Sequence, residues 1–314
     1  HTDIVPITGQ AWTDDPFHLT QKDNKLYGRG TADMKGFLAL ILSRVPKMIS
    51  ANLSKPIHLA FSYDEEIGCV GVHRLLDFIN SNSIKPVFCI VGEPTSMEVV
   101  IGHKGKCAYQ VVVKGLACHS GQAPFGVNAV DYAAKLISYI AEIAKEKSIK
   151  GPFDYDYEVP YTTLHTGVIS GGTILNIVPD SCQFEFEIRH LIEDNPKELI
   201  NKIKLYAKEN LLPNMHKVSS KTDIHFKEKV TYPGLLIDAN SEPVRYVKKL
   251  LNNEKHKKVI FGSEGGLFQE KLNLPTVVCG PGSIDQAHKA NEYISIDQLE
   301  KGGKFLDDLI NFCL

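Results

Sequence analysis

The sequence predicts an α/β domain with a mixed central sheet, interrupted by an inserted α+β domain. Three observations lead there. Through the first hundred residues, short apolar runs alternate with segments of helical period. A block with the order β-α-β-β-α-β follows. The strand–helix alternation then resumes and continues to the last residue.

The elements follow in chain order. MKGFLALILSRVPKMI (34–49) spaces its apolar residues as a helix does. PIHLAFSY (56–63) is an apolar strand that ends at DEE. GVHRLLDFIN (71–80) returns to helix, and PVFCIVGEP (86–94) is a buried strand closing at Glu93. Near-continuous apolar strands of this kind belong in a sheet covered on both faces. KCAYQVVVKG (106–115) alternates like a half-exposed strand, and a long amphipathic helix runs through 126–147. Strands at 162–172 and 182–191, a helix at 196–211 and a strand at 221–230 complete a ferredoxin-like unit. The expected domains are therefore 1–103 with 231–314, and an insert at 104–230. IGHKG and VTYPG read as the exposed junctions. In the last part, 241–253 and 295–314 are helical, and KKVIFG and LPTVVCG are strands.

Composition narrows the function. The chain has 314 residues, 43% hydrophobic and 23% charged, the profile of a folded globular protein. The net charge is −2, from 35 basic and 37 acidic side chains, which disfavours nucleic-acid or membrane-surface partners. No apolar run approaches the roughly 18 residues of a membrane span. Seven cysteines without a CxxC pair fit free thiols in a reducing, cytoplasmic setting.

Carboxylates and histidines gather at the expected strand ends. Asp33 precedes a helix, Asp64, Glu65 and Glu66 close one strand, Glu93 closes another, and His288 follows TVVCG. Taken singly, His1 reads as tail, DEE as a solvated loop, GEP as a turn and His288 as a loop histidine. Taken together they stand where an open α/β sheet delivers ligand-binding groups. Clustered carboxylates repel one another unless cations join them. Mixed imidazole and carboxylate donors suit Zn²⁺, Mn²⁺ or Co²⁺.

The stretches HTDIVP, LYGRGTADMKG, SYDEEIGCVG, VGEPTS and GPGSIDQAHKANEY closely resemble the M20 family of dinuclear metallohydrolases, in order and over nearly the whole chain. The resemblance implies a site. His1 and Glu93 would bind one metal ion, Glu66 and His288 the second, and Asp33 would bridge them, with the peptide bond that follows it, Asp33–Met34, cis. Glu65 would act as general base on a metal-bridging hydroxide, and Asp3 would hold the imidazole of His1 in the right tautomer. Two divalent ions are implied, Zn²⁺ first, with Co²⁺ or Mn²⁺ as alternatives. In the insert, ACHSGQAP resembles the family segment whose histidine, here His119, reaches into the partner subunit's site. Gly121 stands where a serine is common. That implies a homodimer formed through the insert, which would double as a lid. Asn176, Arg189, Gly262, Ser263 and Glu264 would contact substrate, Glu264 facing a basic side chain.

Within the family the likeness is greatest to enzymes that remove acetyl from N2-acetyl-L-ornithine in arginine biosynthesis. A desuccinylase of succinyl-diaminopimelate, an aminoacylase and a dipeptidase share the same metal residues. An inactive dimeric scaffold is the reading from another class. Family members carry a segment ahead of HTD with a strand ending at the metal-binding histidine. The resemblance therefore implies an N-terminally truncated chain in which His1 lacks its anchor, metal is held poorly there and little is hydrolysed.

Overall fold

A computed structural model describes residues 1–314. The chain divides into two compact units, His1–His103 with Leu235–Leu314, and Lys104–Gly234.

The first unit opens with β1 (Thr20–Lys22), β2 (Lys25–Tyr27), α1 (Gly36–Ser50), α2 (Val72–Ser81), β3 (Cys89–Val91) and β4 (Val99–His103). The insert contains β5 (Gly105–Lys114), α3 (Ala129–Lys150), β6 (Thr163–Gly171), β7 (Ser181–His190), α4 (Pro196–Tyr206), α5 (Leu212–His216) and β8 (Asp223–Tyr232). The first unit resumes with β9 (Leu235–Leu236), α6 (Glu242–Leu251), β10 (His256–Val259), α7 (Gly265–Leu272), β11 (Thr276–Val278), β12 (Tyr293–Ser295) and α8 (Ile296–Phe312).

The main sheet of the first unit has the order β10-β4-β11-β3, with β9 beside β4. It is mixed: β10 with β4 and β11 with β3 are parallel, whereas β11 and β9 run antiparallel to β4. Phe37 and Leu38 from α1, Val99 and Ile101 from β4, Val247 from α6 and Phe305 from α8 share one core. β1, β2 and β12 form a separate antiparallel sheet. Gly92, just after β3, and Gly280, just after β11, are required by close approach. A Cβ on Gly280 would lie 2.2 Å from the Gly92 carbonyl oxygen, inside any tolerable contact.

The insert is a four-stranded antiparallel sheet of order β6-β7-β5-β8, the ferredoxin-like arrangement. Alternate residues of β5 and β7 point inward, so Val111, Val113, Phe184 and Ile188 meet Leu136 and Ile140 of α3 and Ile203 of α4. Asn128 caps α3 by accepting from the backbone of Val130 and Asp131, and Asn195 caps α4 ahead of Pro196.

The structure corrects several expectations. PIHLAFSY forms no ladder strand. No strand flanks it, only Thr2 donates to it, at Ser62 O, and Leu59, Phe61 and Tyr63 stay exposed. The first boundary does fall within IGHKG, between His103 and Lys104, but not in an exposed loop, because Ile101–His103 belong to buried β4. The second boundary falls after Gly234 and not after Val230, because β8 continues to Tyr232, which pairs with Lys106. The sequence reading also lacked β1, β2, β4, β9, β12 and α7. Strands of two to five residues carry too little period to read, and α7 opens on two glycines that mask its helical pattern.

Leu136→Ala is expected to cost about 2–5 kcal/mol, since Leu136 is fully buried in the insert's core. Urea denaturation would show it, and a loss under about 1 kcal/mol would contradict the packing described.

Candidate metal centre

Three loops of the first unit and its opening residues bring the charged groups together. His1 is buried. Its anchor is Thr2, whose N–H and hydroxyl both donate to Ser62 O, at 3.0 and 2.9 Å, while Lys35 Nζ donates to Thr2 O. In place of the expected strand, the bonds of Thr2 to Ser62 and Lys35 hold the backbone beside His1. Nδ1 of His1 faces Asp3, 3.2 Å from its carbonyl oxygen and 3.3 Å from Oδ1. Asp3 Oδ2 also accepts from Glu66 N at 3.0 Å. Asp3 therefore meets the imidazole through its carbonyl oxygen, with Oδ1 alongside, and holds the DEE turn through Oδ2.

Asp33 lies in a tight turn, Thr31–Lys35, whose peptide bond to Met34 is cis. Its two oxygens serve different partners. Oδ1 is 3.1 Å from His1 Nε2 and Oδ2 is 3.2 Å from His288 Nε2. His288 Nε2 is also 3.1 Å from Glu66 Oε2. His1 Nε2 lies 3.8 Å from Glu93 Oε1 and 3.9 Å from Glu65 Oε2. Glu65 and Glu66 do not close a strand, since none forms at 56–66. They enter a turn in which Gly68 N and Cys69 N both donate to Glu65 O, and that turn sends the two side chains apart.

The electrostatics follow from burial and crowding. Burial opposes charge on His1, but the Asp33 hydrogen bond and the Glu93 and Glu65 charges outweigh it, pushing its pKa up to about 11. Hydrogen bonds to Asp33 and Glu66 push His288 up to about 10 against burial. Asp33 is pulled down to about 2, because the two imidazoles overcome burial. Burial, with the Glu264, Glu66 and Asp33 charges, pushes Glu65 up to about 7 despite His1. Burial, then Asp33 and Glu65, push Glu93 well above the carboxylate range. Burial also pushes Glu264 up to about 7, although Ser62 Oγ donates to its Oε2 at 2.7 Å.

These donors fit divalent cations. His1, Glu65 and Glu93 can each turn a ligand atom to one point, and so can His1, Asp33 and Glu66. Glu66 Oε1 and Glu264 Oε1 are buried without a hydrogen-bond partner. A buried carboxylate oxygen without a donor is costly unless a cation meets it. Glu65 lies within ligating range, which the sequence reading did not foresee.

Glu264 directly precedes α7, beside buried Ser263 and next to Gly262. The remaining expected residues belong to the insert. His119 is exposed, and its Nδ1 accepts from Gly121 N at 3.1 Å. Ser120 N donates to Asn176 O, which sets Asn176 next to the His119 loop. Arg189 is not open-handed: Nε donates to Glu187 Oε1 at 3.0 Å and Nη1 to Tyr232 Oη at 3.1 Å. Sequence reasoning missed Ser62 on Glu264, Cys69, whose thiol donates to Glu65 Oε1 at 3.3 Å, and the buried Arg29–Glu292 pair. Only the glycines around Arg29 in GRG offered a signal for any of them.

Fold and site define a two-unit α/β protein with a candidate centre for divalent cations, and the family it belongs to is one of hydrolases. The chain belongs to peptidase family M20/M25/M40, whose family model matches residues 1–311. It is 32% identical, over its full length and 79% of the relative's, to an enzyme of Pasteurella multocida named acetylornithine deacetylase. Identity to the Photorhabdus laumondii enzyme of that name is 33%, with all of this chain and 79% of that one covered. Among solved structures, an M20 metallo-carboxypeptidase from Sulfolobus solfataricus superposes with a TM-score of 0.73 at 22% identity, covering 99% of this chain and 83% of that one. No helix is long and apolar enough to cross a membrane.

Metal ligands must be unprotonated. Since the cluster holds protons on His1 and His288 at neutral pH, Zn²⁺ binding should release protons and tighten as pH rises. Titration calorimetry in buffers of different ionisation enthalpy measures this. Heats independent of buffer would refute it.

Proposed function

We propose that this amide hydrolase deacetylates N2-acetyl-L-ornithine to L-ornithine and acetate, a step of arginine biosynthesis. The observation that carries the hydrolytic reading is the sharing of one carboxylate, Asp33, between His1 and His288. The substrate reading is supported by relatives named for that reaction, which match this whole chain over 79% of their own length.

His1 and Glu93 would hold one divalent ion and Glu66 and His288 the other, with Asp33 common to both and Zn²⁺ the first expectation. Bound there, such ions supply Lewis acidity that polarises an amide carbonyl and acidifies water. The chain's own groups do the rest. Glu65, with a pKa near 7, is poised to take a proton from the attacking water and pass it to the leaving amine as the C–N bond breaks. Cys69 engages Oε1 of Glu65, leaving Oε2 toward His1. Asp3 orients His1.

His119 would donate to the developing oxyanion in the partner subunit of a homodimer built through the insert. Asn176 and Arg189 would contact the substrate, Arg189 exchanging part of its Glu187 pairing for the substrate carboxylate. Gly262 and Ser263 would line the pocket. Glu264, with Oε1 buried and unpaired, would face the side-chain ammonium of ornithine.

Glu65→Gln is expected to lower kcat by about 10²–10⁴ with metal content unchanged. Loss of metal by mass spectrometry would instead make Glu65 a ligand. His119→Ala should lower kcat by about 10²-fold with the fold intact, and an unchanged kcat would remove its oxyanion role. Turnover of acetyl-ornithine should exceed that of succinyl-diaminopimelate and acetyl-methionine. Preference for either of those would replace the substrate reading, and absence of any turnover or bound metal would favour a scaffold.

A further inference from the structure

We propose that Glu292, which touches neither substrate nor metal, is the positioning residue that sets Asp33 for shared metal binding. The inference rests on Asp33 being a ligand common to both ions.

Glu292 is almost fully buried, and both its oxygens are committed. Oε2 accepts from Arg29 Nη1 at 2.7 Å and Gly30 N at 3.0 Å. Oε1 accepts from Ala32 N at 2.9 Å and Asp33 N at 3.1 Å. These bonds account for the backbone around Asp33. Gly30 sits at φ +82, and Asp33 and Met34 are non-helical, so a helix does not satisfy these amides. Arg29 N reaches Pro16 O and Thr31 N reaches Gly28 O. The N–H groups of residues 30, 32 and 33 all go to the one carboxylate of Glu292.

The same loop acts on Asp33 from both ends. Glu292 holds its backbone, and His288, four residues earlier, holds its Oδ2 at 3.2 Å. The loop is itself pinned: Gln10 Nε2 donates to His288 O, Arg29 Nη2 donates to Gln10 Oε1, and Tyr293 pairs with Tyr27 in the small sheet. A carboxylate shared by two ions tolerates little rotation, and its backbone N–H is fixed by a group that has no spare acceptor. Replacing one oxygen of Glu292 by an amide NH₂ turns a donor toward backbone donors and loosens Asp33.

The test is Glu292→Gln, titrated with Zn²⁺ and Co²⁺ alone and assayed for turnover. Affinity for both ions is expected to fall about 10–100-fold, with an altered Co²⁺ visible spectrum. At limiting metal kcat should fall with KM unchanged, and excess metal should restore kcat, which a general loss of folding would not allow. Unchanged metal affinity and spectrum in the folded variant overturn the proposal. Glu292→Asp keeps the charge beside Arg29 while shortening the reach to the amides, and it serves if the first variant does not fold. Wild-type affinity in folded Glu292→Asp, or unfolding of both variants, also overturns it. Wild-type protein run in parallel separates the readings: fewer than two ions bound there defeats the shared-ligand assignment itself.

Discussion

Too much negative charge in too small a dry volume is the constraint on which this molecule is organised. Asp33, Glu65, Glu66, Glu93 and Glu264 converge around the imidazoles of His1 and His288. The opposed pKa directions express it, with Asp33 held low between two imidazoles while Glu65, Glu93 and Glu264 are forced up. Such a cluster persists only if the rest of the fold keeps it from relaxing and if cations enter. Much of the surrounding architecture serves the first need. β3 and β11 run parallel and approach closely at Gly92 and Gly280, which fixes the origin of Glu93. Thr2 ties His1 to the Ser62 segment, and Asp3 ties it to the DEE turn.

The chemistry inherits this arrangement. Burial next to like charges lifts Glu65 toward neutrality, and Asp3 behind the imidazole of His1 fixes how that ring is turned. The same burial leaves Glu264 with one oxygen unpaired, a natural place for a cationic group. In each case the property belongs to the site as a whole, so single substitutions shift neighbours as well as themselves.

The site was more legible in the sequence than the sheet that carries it. His1, Asp33, Glu66, Glu93 and His288 sit in distinctive short stretches, and the structure brings all five together. The insert was legible too, because β5, β7 and α3 are long enough to show their periods. PIHLAFSY misled because an apolar run states a preference for burial, whereas a strand also needs a neighbour to complete its ladder. The partners of Glu292 were invisible for a different reason. Its four donors come from residues some 260 positions away, and three of them are backbone amides that any residue type supplies.

β4 and β9 give the insertion its physical logic. His103 stands opposite Leu235 in an antiparallel pair, and Gly102 stands opposite Leu236. To the first unit, the whole insert is therefore the loop of a hairpin whose ends are already bonded. Within the insert, β5 and β8 pair from Lys106 with Tyr232 onward, so its own ends are neighbours as well. Loop-closure entropy grows only slowly with length, and here both sides have closed it independently. A two-residue turn joining His103 to Leu235 would leave every ladder of the first unit intact, and the charged cluster around Asp33 with it, which makes the insert a replaceable connection.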